Sequence, residues 1–96
     1  MNVLLDGTAI STERELHEAL AAQLEFGDFY GWNLAALRDR LMTDVPRPVR
    51  VIWENADSSR SRLGDDLFGR ICSVFEEAQE QDVEFGWTER FSFEIR

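Results

Sequence analysis

Apolar and polar positions divide the chain into segments of clearly different period. Val3-Leu4-Leu5 is a short apolar run closed by Asp6-Gly7, the pattern of a buried strand ending in a turn. Leu16, Leu20, Ala21 and Leu24 then recur at helical spacing, and Thr12 and Glu15 ahead of them have the spacing of a capping box. A helix is predicted from about Glu13 to Leu24. Leu34, Leu37 and Leu41 share a face behind Asn33, a good N-cap, which predicts a short second helix. Pro46 and Pro48 keep that helix from continuing far. Val49-Arg50-Val51-Ile52-Trp53 is β-branched and reads as a second strand.

Ala56 to Arg62 is polar and reads as a loop with at most a single helical turn. Beyond it Leu67, Ile71, Cys72, Phe75 and Ala78 define a long helix that runs to about Gln81. Asp65 and Asp66 at its start place negative charge where a helix N-terminus favours it. Gly69 costs this helix about 1 kcal/mol relative to alanine and is read as a point of close backbone packing. Phe91-Ser92-Phe93-Glu94-Ile95 alternates with period two, a third strand with one buried face. The order strand, helix, helix, strand, helix, strand implies an α/β sandwich, and helical crossovers favour parallel pairing. Ninety-six residues make one domain, 1–96, with no internal repeat or linker.

Composition narrows the function. Cys72 is the only cysteine, so no internal disulfide framework exists; within an apolar stripe it reads as a buried small hydrophobe. The only histidine, His17, lies beside the first helix's stripe and reads as a surface residue on the solvent side. No nucleophile–base pair, zinc-type Cys/His cluster or phosphate-cradling glycine loop is present. Carboxylate pairs such as Glu76/Glu77 are expected by chance among 19 acidic residues and read as a solvated face. The chain is therefore not expected to be an enzyme, nor to bind a metal or cofactor. The N-terminus has neither the basic stretch nor the apolar length of a signal peptide, and no run is long enough to span a membrane. A soluble, cytoplasmic protein is expected.

Charge adds a direction. The formal net charge is −9, and all ten basic residues are arginine. A field of that sign repels phosphate backbones and anionic membranes and speeds encounter with basic partners, although it also serves plain solubility. On the second helix Ala35, Asp39 and Met42 occupy a face other than the leucine stripe, and Phe29, Tyr30 and Trp32 crowd the loop before it. Either these aromatics all pack beneath the loop, or some of them stay exposed as the anchors of an interaction surface.

The segment Phe29-Tyr30-Gly31-Trp32-Asn33-Leu34-Ala35-Ala36-Leu37-Arg38-Asp39-Arg40-Leu41 resembles the hallmark pattern of the barstar family, Tyr-Gly-x-Asn-Leu-x-Ala-Leu-x-Asp-x-Leu. Val74-Phe75-Glu76-Glu77-Ala78 resembles the family's later helix, and the Asp6-Gly7 turn and the Trp53 strand also fit. The resemblance extends over nearly the whole chain to about residue 83. It implies a three-stranded parallel sheet packed with three to four helices. It also implies an intracellular inhibitor (an immunity protein) that forms a heterodimer with a basic, extracellular-type ribonuclease and blocks its active site. Asp39 matches the family's acidic anchor, which stands in for a phosphate. Phe29 matches an aromatic that stacks at the enzyme's centre, and Tyr30, Gly31, Asn33 and Leu34 match the binding loop and helix start. Glu77 and Val74 match an acidic contact and its apolar neighbour on the later helix, while Met42, Thr43 and Asp44 close the matched surface.

Departures from the family bear on the target. Ala35 and Trp32 stand where the family has acidic residues, and Arg38 and Asp44 stand where it has tryptophan. Glu84-Phe85-Gly86-Trp87-Thr88-Glu89-Arg90 is an insertion before the last strand, with no role assigned by the resemblance. The alternative reading is an interaction module or toxin-immunity protein of the same fold with a partner other than a ribonuclease.

Overall fold

The computed structural model describes all 96 residues as three strands and four helices. In chain order they are β1 (Asn2–Asp6), α1 (Glu13–Leu24), α2 (Leu34–Thr43), β2 (Val49–Glu54), α3 (Ala56–Leu63), α4 (Asp65–Glu84) and β3 (Phe91–Ile95). The sheet has the order β1-β2-β3 and both pairings are parallel, as the helical crossovers predict. Its register brings Val3 beside Val51 and Val51 beside Phe93, and Leu5 beside Trp53. Val3, Leu5, Val49, Val51, Trp53 and Phe91 are all buried, and α4 covers them with Ile71, Phe75 and Ala78. Phe75 stacks on Phe91 and Phe93, with ring centroids 6.2 and 4.7 Å apart.

Local signals in the sequence are realised atom by atom at α1. The Glu15 N–H donates to the Thr12 hydroxyl at 3.1 Å, while the Glu15 carboxylate accepts from the Ser11 N–H at 3.0 Å. Each edge of the sheet is partly closed by a glutamine, which blunts the tendency of unpaired strand edges to recruit another chain. On β1 the Gln23 amide accepts from Leu4 N–H at 3.1 Å and donates to Leu4 C=O at 2.8 Å. On β3 the Phe93 N–H donates to Gln79 at 2.9 Å.

Three expectations are corrected. Residues 56–63 form the helix α3 and not a loop. Its buried positions are Ala56 and Ser59, which leave no apolar stripe to read. Ala56 and Leu63 pack at the core, and a polar chain adds to them: the Trp53 indole donates to the Ser59 hydroxyl, which donates to Gly7 C=O, both at 3.1 Å. Gly69 is exposed with open space where a side chain would be, so it marks no close packing. His17 is fully buried and not on the solvent side. The group that covers it is a loop distant in sequence, which helical periodicity does not register.

The close approach expected of a glycine occurs instead at Gly7, after β1. A Cβ there would lie 1.9 Å from the Asn55 carbonyl oxygen, and the Gly7 N–H donates to Glu54 C=O at 2.7 Å.

Candidate functional site

The loop from Glu25 to Asn33 is set by its own buried residues. Glu25 ends α1 in the left-handed conformation, and Phe26 and Tyr30 turn inward with ring centroids 4.7 Å apart. Arg40 of α2 fastens them. Its guanidinium donates to Phe26 C=O at 2.8 Å and lies 5.4 Å from the Phe26 ring and 5.9 Å from the Tyr30 ring. The sequence signal for Arg40 is its place on the flank of the leucine stripe, in the helix that follows a loop rich in aromatics.

Tyr30 reaches further, to His17. The hydroxyl lies 2.6 Å from His17 Nδ1, and His17 Nε2 lies 3.0 Å from the Glu13 carboxylate. All three groups are satisfied when Tyr30 donates to Nδ1 and Nε2–H donates to Glu13. Burial, with the Glu13 charge adding to it, pushes the Tyr30 phenol well above its ordinary range. Trp32 closes this unit from outside, 5.6 Å from the Tyr30 ring and edge-on to His17 at 6.4 Å. Its backbone is left-handed, φ 56°, a strained conformation for a bulky side chain that marks the turn into α2 as a held shape.

The three loop aromatics thus divide. Phe29 is 96% exposed, Trp32 is 45% exposed, and Tyr30 is 4% exposed. Tyr30 serves the loop from within and offers a partner little surface. Val74 likewise belongs to the core cluster. Leu34 is half-buried against that core, while Gly31, Asn33 and Ala35 are exposed. Asn33 caps α2 as predicted, its carboxamide oxygen accepting from Ala36 N–H at 2.8 Å. Gly31 packs tightly, since a Cβ there would come within 3.0 Å of the Ala36 methyl.

On α2 the charged residues have separate fates. Arg38 ion-pairs with Glu77 of α4 at 2.7 Å, and Arg40 lies 3.5 Å from Asp44. Asp39 is exposed, and its carboxylate takes part in no ion pair within the chain. Thr43, also exposed, turns its hydroxyl back to Asp39 C=O at 2.6 Å, and Met42 is half-buried beside it. Of the three carboxylates assigned to the surface from sequence, two are paired with arginine and Asp39 stands alone. The arrangement presents a carboxylate and an aromatic ring from a loop and helix whose shapes are fixed from below.

Comparison with known proteins agrees with the architecture. The model of the family described as Barstar (barnase inhibitor) matches residues 1–95. The chain is similar to "Putative ribonuclease inhibitor YrdF" of Bacillus subtilis (strain 168), 35% identical over 82 residues. That match takes in 82% of this chain and 86% of the relative.

Proposed function

The chain belongs to the barstar family, and from that premise we propose that it inhibits a basic microbial ribonuclease by placing Asp39 in the enzyme's phosphate-binding centre. The observation that carries the reading is the exposed Asp39 carboxylate, unpaired on a helix whose arginines are engaged elsewhere. A ribonuclease centre gathers cationic side chains to hold phosphate. A carboxylate delivered there accepts charge-assisted hydrogen bonds from them. Phe29, standing clear of its own protein, supplies an aromatic face to stack beside that carboxylate. The net charge of −9 draws a basic enzyme in along its field before contact.

In this reading the protein has no catalytic role of its own and acts in the cytoplasm, shielding the cell from a ribonuclease made for export. Trp32, Met42, Thr43 and Asp44 complete the contact surface around Phe29 and Asp39, and Tyr30, Arg40 and Asn33 hold it in shape. Titrating a panel of basic microbial ribonucleases with the protein tests the proposal. Loss of activity that ends at one inhibitor per enzyme supports it. No inhibition across the panel, with a different protein captured through the same face, would favour a non-ribonuclease partner instead.

A further inference from the structure

The segment between α4 and β3 carries a surface that Asp39 and its loop do not use. Phe85 and Trp87 are 62% and 42% exposed and their rings rest on one another, centroids 5.4 Å apart. Two large aromatics left side by side in water are the mark of an interaction site. The backbone beneath them is pinned. Phe85 N–H donates to Gln81 C=O and Gly86 N–H to Val83 C=O, both at 3.0 Å, and Trp87 N–H donates to Asp82 C=O at 3.2 Å. Arg90 donates through Nε to Trp87 C=O. Arg47 lies over the indole, 5.8 Å from the ring centroid, and is itself forked onto the buried Asp82 at 2.9 and 3.1 Å. Trp87 is therefore presented from a fixed backing, with little ordering left to do on binding.

A groove of about 610 Å³ separates this segment from the C-terminal end of α2, with Met42 and Thr43 on one side, Gly86, Trp87 and Glu89 on the other, and Arg47, its charge already met by Asp82, also in the lining. Met42 also lines the adjoining depression, together with Arg38, Glu77 and Glu84. The groove is thus continuous with the end of the helix that carries Asp39. Glu89 in the groove and Glu80 and Glu84 in the adjoining depression are exposed and take part in no ion pair within the chain.

We propose that this groove is a second contact site for the same ribonuclease, receiving an arginine- or lysine-bearing loop that lies outside the enzyme's active centre. The cation sits against Trp87, where an aromatic face attracts it, and Glu84 and Glu89 neutralise it. The alkyl stem lies along Met42. This rests on the ribonuclease-inhibitor reading and adds selectivity to it. A carboxylate in a phosphate site suits any ribonuclease, whereas the shape and charge of a peripheral loop distinguish one enzyme from another.

The test uses the full chain and a ribonuclease that it inhibits, with Kd measured for wild type, Trp87→Ala, the double reversal Glu84→Lys/Glu89→Lys, and Asp39→Ala. Trp87→Ala is expected to raise Kd about tenfold or more while saturating inhibitor still abolishes activity. The charge reversal, made at exposed positions that leave the fold alone, should raise Kd at low salt and less so at high salt. If both variants bind within twofold of wild type while Asp39→Ala is strongly weakened, the groove is no contact site and the inhibitor reading stands. If wild type inhibits no ribonuclease, both readings fall. If the free chain dimerises and Trp87→Ala dissolves the dimer without changing Kd, the groove belongs to a second copy and the proposal is overturned.

Discussion

Arg38 Nε lies 2.7 Å from Glu77 Oε2, so the residue next to Asp39 ties α2 to α4 through half-exposed side chains. The pair answers a question the sequence leaves open, since the cation that replaces a family tryptophan serves a carboxylate of its own chain. It also withdraws Glu77 from the pool of free negative charge. Both members are about half exposed, and such pairs contribute at most about 1 kcal/mol to stability. Replacing Arg38 with alanine should leave the melting temperature nearly unchanged. It should speed association with a basic ribonuclease at low ionic strength, because Glu77 is released to the field, and the gain should fade as salt is added. Stopped-flow association rates at two salt concentrations read this out. Slower association would make Arg38 a direct partner contact instead.

Asp82 holds the C-terminal half together. Burial by itself would raise its pKa, but the Arg47 fork and the Phe91 N–H at 2.6 Å outweigh it and hold the carboxyl below its ordinary 3.8. A depressed folded-state pKa adds stability that is complete above 3.8 and is lost as pH falls through the depressed value. Asp82→Ala leaves Arg47 nearly buried and uncompensated, at a cost of about 3–5 kcal/mol. Denaturant midpoints taken from pH 6 down to pH 3 should fall more steeply for wild type than for the variant. Parallel curves would remove Asp82 from the acid response.

Alkaline pH offers an unusually clean readout, because the chain has one tyrosine, one cysteine and no lysine. Burial, aided by the Glu76 charge, pushes the Cys72 thiol from 9.0 up to about 11, and the Tyr30 phenol is raised above its ordinary 10.0. Both shifts favour the neutral, folded form. Their contribution is whole below pH 9 and is lost as the unfolded chain ionises above it. Stability should decline between pH 9 and 11, and Tyr30→Phe, which cannot ionise, should flatten the upper part of that decline. An unchanged slope in the variant would show that the phenol does not drive it.

Two glycines should respond with opposite sign to alanine. At Gly69 the helix is open to solvent, so alanine should stabilise by about 1 kcal/mol through helix propensity, with inhibition unaffected. At Gly7 a methyl group would overlap the Asn55 carbonyl, and alanine should destabilise by ~3 kcal/mol or abolish folding. Thermal unfolding of the two variants separates these outcomes. A stable Gly7→Ala protein would contradict the turn geometry described here.

The sequence shows most of the fold where burial follows a period. β1, β2, β3, α1, α2 and α4 each carry an apolar pattern long enough to read, and α4 is underestimated by only its last turn. α3 is hidden because its buried partner is a serine joined to Trp53 and Gly7 across the chain. His17 is hidden for the same reason, since periodicity describes one helix while the cover comes from Tyr30 and Trp32. At the site, the family pattern locates Asp39, Phe29 and Asn33. The split between exposed Phe29 and buried Tyr30 depends on how Arg40 draws Phe26 and Tyr30 inward, a tertiary contact with no sequence period.

The central claim, that Asp39 takes the place of a phosphate, is tested most directly by the affinity of Asp39→Ala for a ribonuclease that the wild-type protein inhibits, measured with and without a competing nucleotide. Truncating one member of a desolvated charge pair costs about 2–5 kcal/mol, a range to which the barnase–barstar pair itself contributes. Asp39→Ala is therefore expected to bind at least about thirtyfold more weakly, and nucleotide should compete with wild type for the same site. Wild-type affinity in the variant, or a wild-type complex that binds nucleotide undiminished, would contradict the account.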